Sequence, residues 1–145
     1  MRQNFDLDLF LPYLLNQAAE VTSAAFQESY RARGMTRTEW RVLANLGKQG
    51  ALTAGQICRI TFTDKTKVSR AVQRLEVAGL LQRTKVADDR RQESLTLTDA
   101  GRIACHQIGK LAAGFDSALR DALGHAEAEA LAQVLRRLIA KGQGR

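Results

Sequence analysis

Between Asp64 and Leu81 the chain reads DKTKVSRAVQRLEVAGLL, and one set of its side chains has a distinctive chemistry. Lys65, Thr66, Ser69, Arg70, Gln73 and Arg74 are cations, short hydroxyls and an amide. A merely solvated helix face is usually rich in Glu and Lys. This one offers groups that reach phosphate oxygens and base edges in a DNA major groove. On this stretch alone, the solvated-face reading and the DNA-reading one stand side by side. Val68, Ala71, Val72, Leu75 and Ala78 recur at steps of three and four, which predicts a buried face opposite the polar one. Asp64 is placed to cap the helix start, and Gly79 to end the helix in a left-handed turn.

The flanking stretches supply the elements that would hold this helix. Upstream, TAGQICRITF begins with Thr53 and has Gln56 three residues later, a capping box that fixes a second, shorter helix with Ile57 and Ile60 inward. About three residues separate the two helices, which is helix-turn-helix spacing, although no central glycine marks the turn. Downstream, LLQRTKV and SLTLT flank ADDRRQE, and Leu95 and Leu97 alternate with Ser94, Thr96 and Thr98 as in a half-buried strand. A helix pair followed by a hairpin with Arg90 and Arg91 at its tip is a winged helix.

From Asp64 to Gly101 the chain resembles the MarR family of winged-helix transcription regulators. The resemblance rests on a helix ending in RLE, a following Gly-Leu, the wing motif Asp88-Asp89-Arg90, and the Leu-Thr-x-x-Gly run from Leu97 to Gly101 that opens the next helix. TRTEWRVLANL, Thr36 to Leu46, resembles the family's preceding helix. The resemblance implies a homodimer on a pseudo-palindromic operator in double-stranded DNA, often released by a small aromatic or lipophilic effector. It also implies that Asp88 orients Arg90. Some members sense peroxide through a cysteine near the start of the first helix, where this chain has none.

Composition agrees with a helical, DNA-associated chain. The 145 residues are one domain's worth, with 45% hydrophobic residues but only 6% aromatics and a single proline, which favours Ala/Leu-rich helices over a β-sandwich. The formal net charge of +7 favours an acidic partner. Residues 1–35 hold three basic and four acidic side chains, whereas Thr53 to Glu93 hold nine basic and five acidic, so the excess falls on the DNA-binding half. No signal-peptide pattern opens the chain and no run approaches the roughly 18 apolar residues of a membrane span, so a cytoplasmic location is expected. Cys58 and Cys105 lack metal-ligand spacing and read as buried reduced thiols.

Taken in order, a first long helix is expected over residues 12–32, with Pro12 in its first turn and a stripe of Leu14, Leu15, Ala18, Val21, Ala25 and Phe26. Gly34 ends it. Thr36 and Glu39 form another capping box, with Trp40, Leu43 and Leu46 inward, and Gly47 and Gly50 turn the chain into Leu52, a possible short strand against the wing. Thr98 caps a long helix whose seam is Ala104, Ile108, Leu111, Phe115 and Leu119. After a turn near Gly124 comes a last helix with Leu131, Val134, Leu135, Leu138 and Ile139. These apolar faces exceed what a winged helix needs. They point to burial against a second copy, with an intrachain helical hairpin as the alternative. The expected fold is therefore mainly α with a small antiparallel β-wing: a winged helix-turn-helix over 36–98, and a helical dimerisation region from 1–35 and 99–145.

No catalytic, metal or cofactor pattern emerges. His106 is expected on an exposed face and His125 at a helix N-cap, with no nucleophile or paired carboxylate at a useful spacing. Asp88 and Asp89, beside Arg90 and Arg91, read as shaping the wing. The reading is thus a DNA-binding regulator rather than an enzyme. Arg70 is first for base contact with Thr66, Ser69 and Gln73 beside it, Lys65, Lys67 and Arg74 meet phosphates, and Arg90 or Arg91 lies in the minor groove. The alternative is a winged-helix protein-interaction module, whose recognition face should be apolar or acidic. For an effector, Phe10, Tyr13 and Trp40 are candidate aromatic walls, with Asn16 as polar partner and Arg41 as carboxylate anchor; plain core or dimer contacts are the other reading.

Overall fold

The computed structural model describes residues 4–86 and 89–144, with side chains omitted over 86–92. A 3-10 turn, Leu7–Leu9, leads into α1 (Leu11–Phe26), and Pro12 occupies its first turn. The helix expected over 12–32 is interrupted at Gln27. There the backbone changes to i→i+3 bonding, Gln27 N–H to Ala24 C=O at 3.3 Å and Tyr30 N–H to Gln27 C=O at 3.3 Å, before the single turn of α2 (Glu28–Arg31). Then follow α3 (Arg37–Gln49), β1 (Ala51–Thr53), α4 (Ala54–Thr61), α5 (Lys65–Val77), β2 (Leu81–Val86), β3 (Asp89–Leu97), α6 (Asp99–Leu123) and α7 (His125–Gln143).

The helix starts are set by the residues that the sequence marks. Thr36 with Glu39, and Thr53 with Gln56, both close complete capping boxes on α3 and α4, and Asp64 accepts from the Lys67 N–H on α5. Thr98 accepts from the Gly101 N–H at the start of α6. His125 is the first residue of α7 and Gly124, with φ +95°, is its N-cap, one position from where the sequence placed it. Gly47 also departs from expectation. It lies inside α3, where a Cβ would come within 2.6 Å of the Cys105 Sγ, so it admits α6 rather than making a turn. Gly50 alone, at φ +84°, turns the chain into β1.

The sheet has the order β1-β3-β2, antiparallel throughout, with Leu52 opposite Leu95 and Leu81 opposite Leu97. β3 begins at Asp89, so most of the stretch expected as a loop continues the strand, and the register shifts between Lys85 and Val86. A longer ladder satisfies more backbone groups than an open loop would. One core joins α3, α4, α5, the sheet and the root of α6 through Leu43, Leu46, Ile57, Val72, Leu75, Leu95 and Ile108. It also draws in Tyr30 and Met35 from before residue 36, and Ala104 and Ile108 from after residue 98. Ala78 stays exposed as the C-cap of α5, while Ile60, half-buried, packs against the core from α4. Cys58 and Cys105 are likewise half-buried, and burial pushes the Cys105 thiol above its ordinary range, which disfavours the reactive thiolate.

Candidate nucleic-acid interface

The expected amphipathic split of α5 is realised at every position but Ala78, its exposed C-cap. Val68, Ala71, Val72 and Leu75 are buried, while Lys65, Thr66, Lys67, Ser69, Arg70, Gln73 and Arg74 are all exposed along the rest of the helix. None of Lys65, Lys67 or Arg70 has a salt-bridge partner among the described residues. Arg74 is different: its Nη1 lies 3.7 Å from Oε1 of Glu39, a carboxylate almost fully enclosed at the start of α3. Glu39 is also spent on the capping box, its Oε2 accepting from the Thr36 N–H at 3.1 Å. Arg74 keeps most of its surface in water, so it remains open to a phosphate while being drawn toward α3.

The turn between α4 and α5 needs a left-handed residue, and Phe62 supplies it at φ 53°. The turn thus uses a bulky residue at a strained position where glycine would be expected. Its N–H closes on the Cys58 C=O, and its ring is 65% exposed with one edge toward Gly142 near the end of α7. At the other end of α5, Gly79 adopts φ +76° and the Leu80 N–H returns to the Leu75 C=O at 2.9 Å. Here the Leu-Thr-x-x-Gly run finds its physical reason. The Thr98 hydroxyl donates to the Gly79 C=O at 2.6 Å, the Thr98 N–H donates to the Leu80 C=O at 3.1 Å, and a Cβ on Gly101 would fall 1.9 Å from that same Leu80 oxygen. Only glycine lets α6 seat against the end of α5.

The wing is anchored by a residue that sequence reading passed over. Arg83 on β2 places Nε 3.1 Å from Glu76 Oε2 on α5 and Nη1 3.1 Å from Glu93 Oε2 on β3. Burial opposes its charge, but the hydrogen bonds to Glu93 and Glu76 outweigh that and raise its pKa further. The backbone of Arg90 and Arg91 forms part of β3, while their side chains, and Asp88 altogether, lie outside the described residues.

The five effector candidates are spread along the protomer. Trp40 is half-buried and packs on Phe26, ring centroids 5.9 Å apart, and Phe26 in turn meets Phe115 at 5.4 Å. Together with Thr22, Ser23 and Ala112 these line an open cleft of about 310 Å³ between α1, α3 and α6. Tyr30 closes the aromatic cluster from below, and its buried hydroxyl has no hydrogen-bond partner among the described residues. Arg41 is exposed on α3. Phe10 pairs instead with Phe5 at 5.3 Å, at the opposite end of α1, about 24 Å away along a 16-residue helix. Tyr13 is half-buried and Asn16 exposed near that same end. From the sequence, Phe26 and Phe115 are legible only as members of apolar seams. Their spacing alone carries no sign that Phe26 lies between Trp40 and Phe115.

Comparison with known proteins identifies this arrangement. A model described as the MarR family matches residues 33–92, the helix-turn-helix and wing. The HTH-type transcriptional repressor MdtR of Bacillus subtilis (strain 168) is 35% identical over 81 residues, 56% of this chain and about half (52%) of that relative. The crystal structure of the MarR family transcriptional regulator SPO1453 from Silicibacter pomeroyi DSS-3 superposes with a TM-score of 0.83 at 28% identity, covering 94% of this chain and 98% of the other. A structure of BpsR from Bordetella bronchiseptica, described as showing how its DNA binding is regulated by 6-hydroxynicotinic acid, gives 0.81 at 26% identity over 92% and 96%. This chain belongs to the MarR family of winged-helix transcription regulators. At the level of the family these are regulators rather than enzymes. No helix among the described residues is long and apolar enough to cross a membrane.

Proposed function

We propose that this protein is a sequence-specific repressor that binds a pseudo-palindromic operator as a homodimer and is released by a small aromatic effector. The observation that carries the DNA reading is the α5 surface: seven polar or cationic side chains exposed on one helix whose other face is locked into the core. That surface is neither apolar nor acidic, which disfavours the protein-interaction alternative. Arg70 reads a base edge, flanked by Thr66, Ser69 and Gln73, while Lys65, Lys67 and Arg74 meet phosphates. The wing, with Asp88, Arg90 and Arg91, reaches the neighbouring minor groove.

Dimerisation is supported by apolar surface that one copy leaves open. Leu11, Leu14 and Val21 on α1, Leu111 on α6, and Leu131, Val134, Leu138 and Ile139 on α7 are all exposed. A patch of this kind marks an interaction surface, and residues 1–35 and 99–145 are its source. The effector reading draws on the Trp40–Phe26–Phe115 cleft and on the regulation named for the BpsR relative. Phe10, Tyr13 and Asn16 join it only if a second copy brings its α1 across. A ligand releases DNA only through unequal affinity for the two spacings of the recognition helices, and a hundredfold release needs about 2.7 kcal/mol of it.

Selection of bound sequences from a random DNA pool tests the central claim. A palindromic winner with half-sites about 10 base pairs apart, centre to centre, is expected. A pool that never enriches would sink the reading. For the effector, aromatic acids and phenols should quench or shift Trp40 fluorescence and weaken operator binding together. A panel that moves neither signal would leave a constitutive regulator.

A further inference from the structure

Arg83 has the sign and position of a DNA contact. It lines a groove between the start of α4 and the wing, together with Arg59 and Lys65. Its bonding says otherwise. The guanidinium uses two different edges on two carboxylates, Glu76 in the last turns of the recognition helix and Glu93 on the far wing strand, each at 3.1 Å. The three side chains are only partly covered, the arginine at 37% exposure and each acid at 41%, so what sets the pairing apart is that one guanidinium bridges two elements rather than that it is buried. In the ladder Arg83 stands opposite Leu95, which is buried. Its stem therefore lies over the core side of the hairpin, and its head has no slack to swing outward without leaving both acids.

From this we infer that Arg83 is a positioning residue that fixes the angle of the wing against the recognition helix, and that it acts on DNA only through the wing. This deepens the DNA-binding reading above and rests on it. The hairpin follows α5 directly after the Gly79 turn. Both ends of α5 are held by caps and core. Beyond its root, the wing has a register irregularity at Lys85 and Val86 that would otherwise let its outer part swing. Arg83 sits just before that irregularity and links both strands to α5. Glu76 and Glu93 carry one more negative charge than Arg83 neutralises. If Arg83 were a phosphate ligand, its two partners would repel the strand it binds.

The two roles predict opposite signs for one substitution. Removing Glu76 would free Arg83 for phosphate and remove a repelling charge, so under direct contact Glu76→Ala tightens binding. Under positioning, Glu76→Ala loosens the wing. The probe is the sequence selected from the random pool, with hydroxyl-radical cleavage reporting the minor groove and guanine methylation reporting the major groove. Expected for both Arg83→Met and Glu76→Ala is loss of minor-groove protection at the wing, retained major-groove protection along α5, and operator affinity lowered about tenfold. Tighter binding by Glu76→Ala, or unchanged wing protection in either variant, overturns the inference. Should Arg83→Met unfold, Glu76→Ala decides alone, since that exposed-edge carboxylate lies outside the core. A parent protein that selects no sequence overturns the DNA-binding reading itself, a different and separately visible failure.

Discussion

The winged-helix part of the chain and its terminal helices both carry apolar faces, yet they complete their cores very differently. In the first, Leu43, Ile57 and Val68 are wholly enclosed, and every helix and strand contributes to one cluster. In the second, α1 buries no residue, α7 buries only Ala128, and Leu131, Val134, Leu138 and Ile139 each leave close to half of their surface in water. An apolar stripe states that a face will be covered but not by what. One region is a finished fold; the other, on the dimer proposed above, is half of an interface. Each prediction below sets one region against the other.

The largest effect is expected from the unfinished region. Replacing Leu131 and Leu138 by serine, or ending the chain after Gly124, should convert a dimer into a monomer in sedimentation. Operator affinity should fall about a hundred- to ten-thousandfold, because the second half-site is no longer tethered. Winged-helix stability in the serine variant should change little, since neither side chain belongs to the enclosed cluster. A full-length protein that sediments as a monomer at micromolar concentration would erase the contrast.

Next come substitutions in the finished region, where the damage should not depend on protein concentration. Ile57→Ala removes a fully enclosed side chain and should cost about 3 kcal/mol in denaturant unfolding. Gly101→Ala forces a methyl onto the Leu80 carbonyl and should cost about 2 kcal/mol, with α6 pushed off the end of α5. Midpoints that rise with protein concentration in these variants, as in the parent, would locate their main effect at the interface instead.

What was legible in the sequence follows the range of the interaction. Thr36, Thr53, Asp64 and Thr98 each act on a backbone N–H three residues away, and each cap forms as its residue type demands. The faces of α5 follow from helical period alone, and every residue proposed for DNA on that helix is exposed. Long-range partnerships were not legible. Nothing in the local pattern joins Arg83 to Glu76 and Glu93, sets Gly47 against Cys105, or brings Phe26 between Trp40 and Phe115. Phe62 shows the same limit from the other side. Its left-handed backbone is held by the packing of two helices, against the preference of its own side chain.

Smaller, and confined to DNA binding, are the effects at the two contact elements. Arg70→Ala should cost about 2 kcal/mol at the selected operator and relax preference at the bases it faces. Arg90→Ala should instead weaken many sequences alike and flatten the dependence of log affinity on log salt by about one unit. The helix residue sits on a rigid, capped element and the wing residue on a strand held from one side. Identical behaviour of the two variants would mean that the helix and wing do not divide base reading from backbone binding.

The smallest effect should come from a contact that ties the two regions together. Glu20 on α1 bonds Arg37 at the first turn of α3, Oε1 to Nη1 at 3.1 Å, so a terminal helix is pinned to the winged helix through charge. The hydrogen bond from Arg37, reinforced by its charge, holds the Glu20 carboxyl below the ordinary glutamate range. A carboxylate whose folded pKa is depressed contributes stability that is fully present above its unfolded value and is lost as pH falls through the folded one. Glu20 is fully exposed, so solvent screens most of this. Acid titration of the parent and of Glu20→Gln should therefore give unfolding curves that coincide near neutral pH within error. They should differ only in a slightly shallower loss of stability for the variant below the ordinary glutamate range. High salt should remove even that difference. A large gap between the curves at neutral pH would show that α1 is held to α3 by this pair rather than by the Phe26–Trp40 packing, and the two regions would then be joined by charge more than by apolar contact.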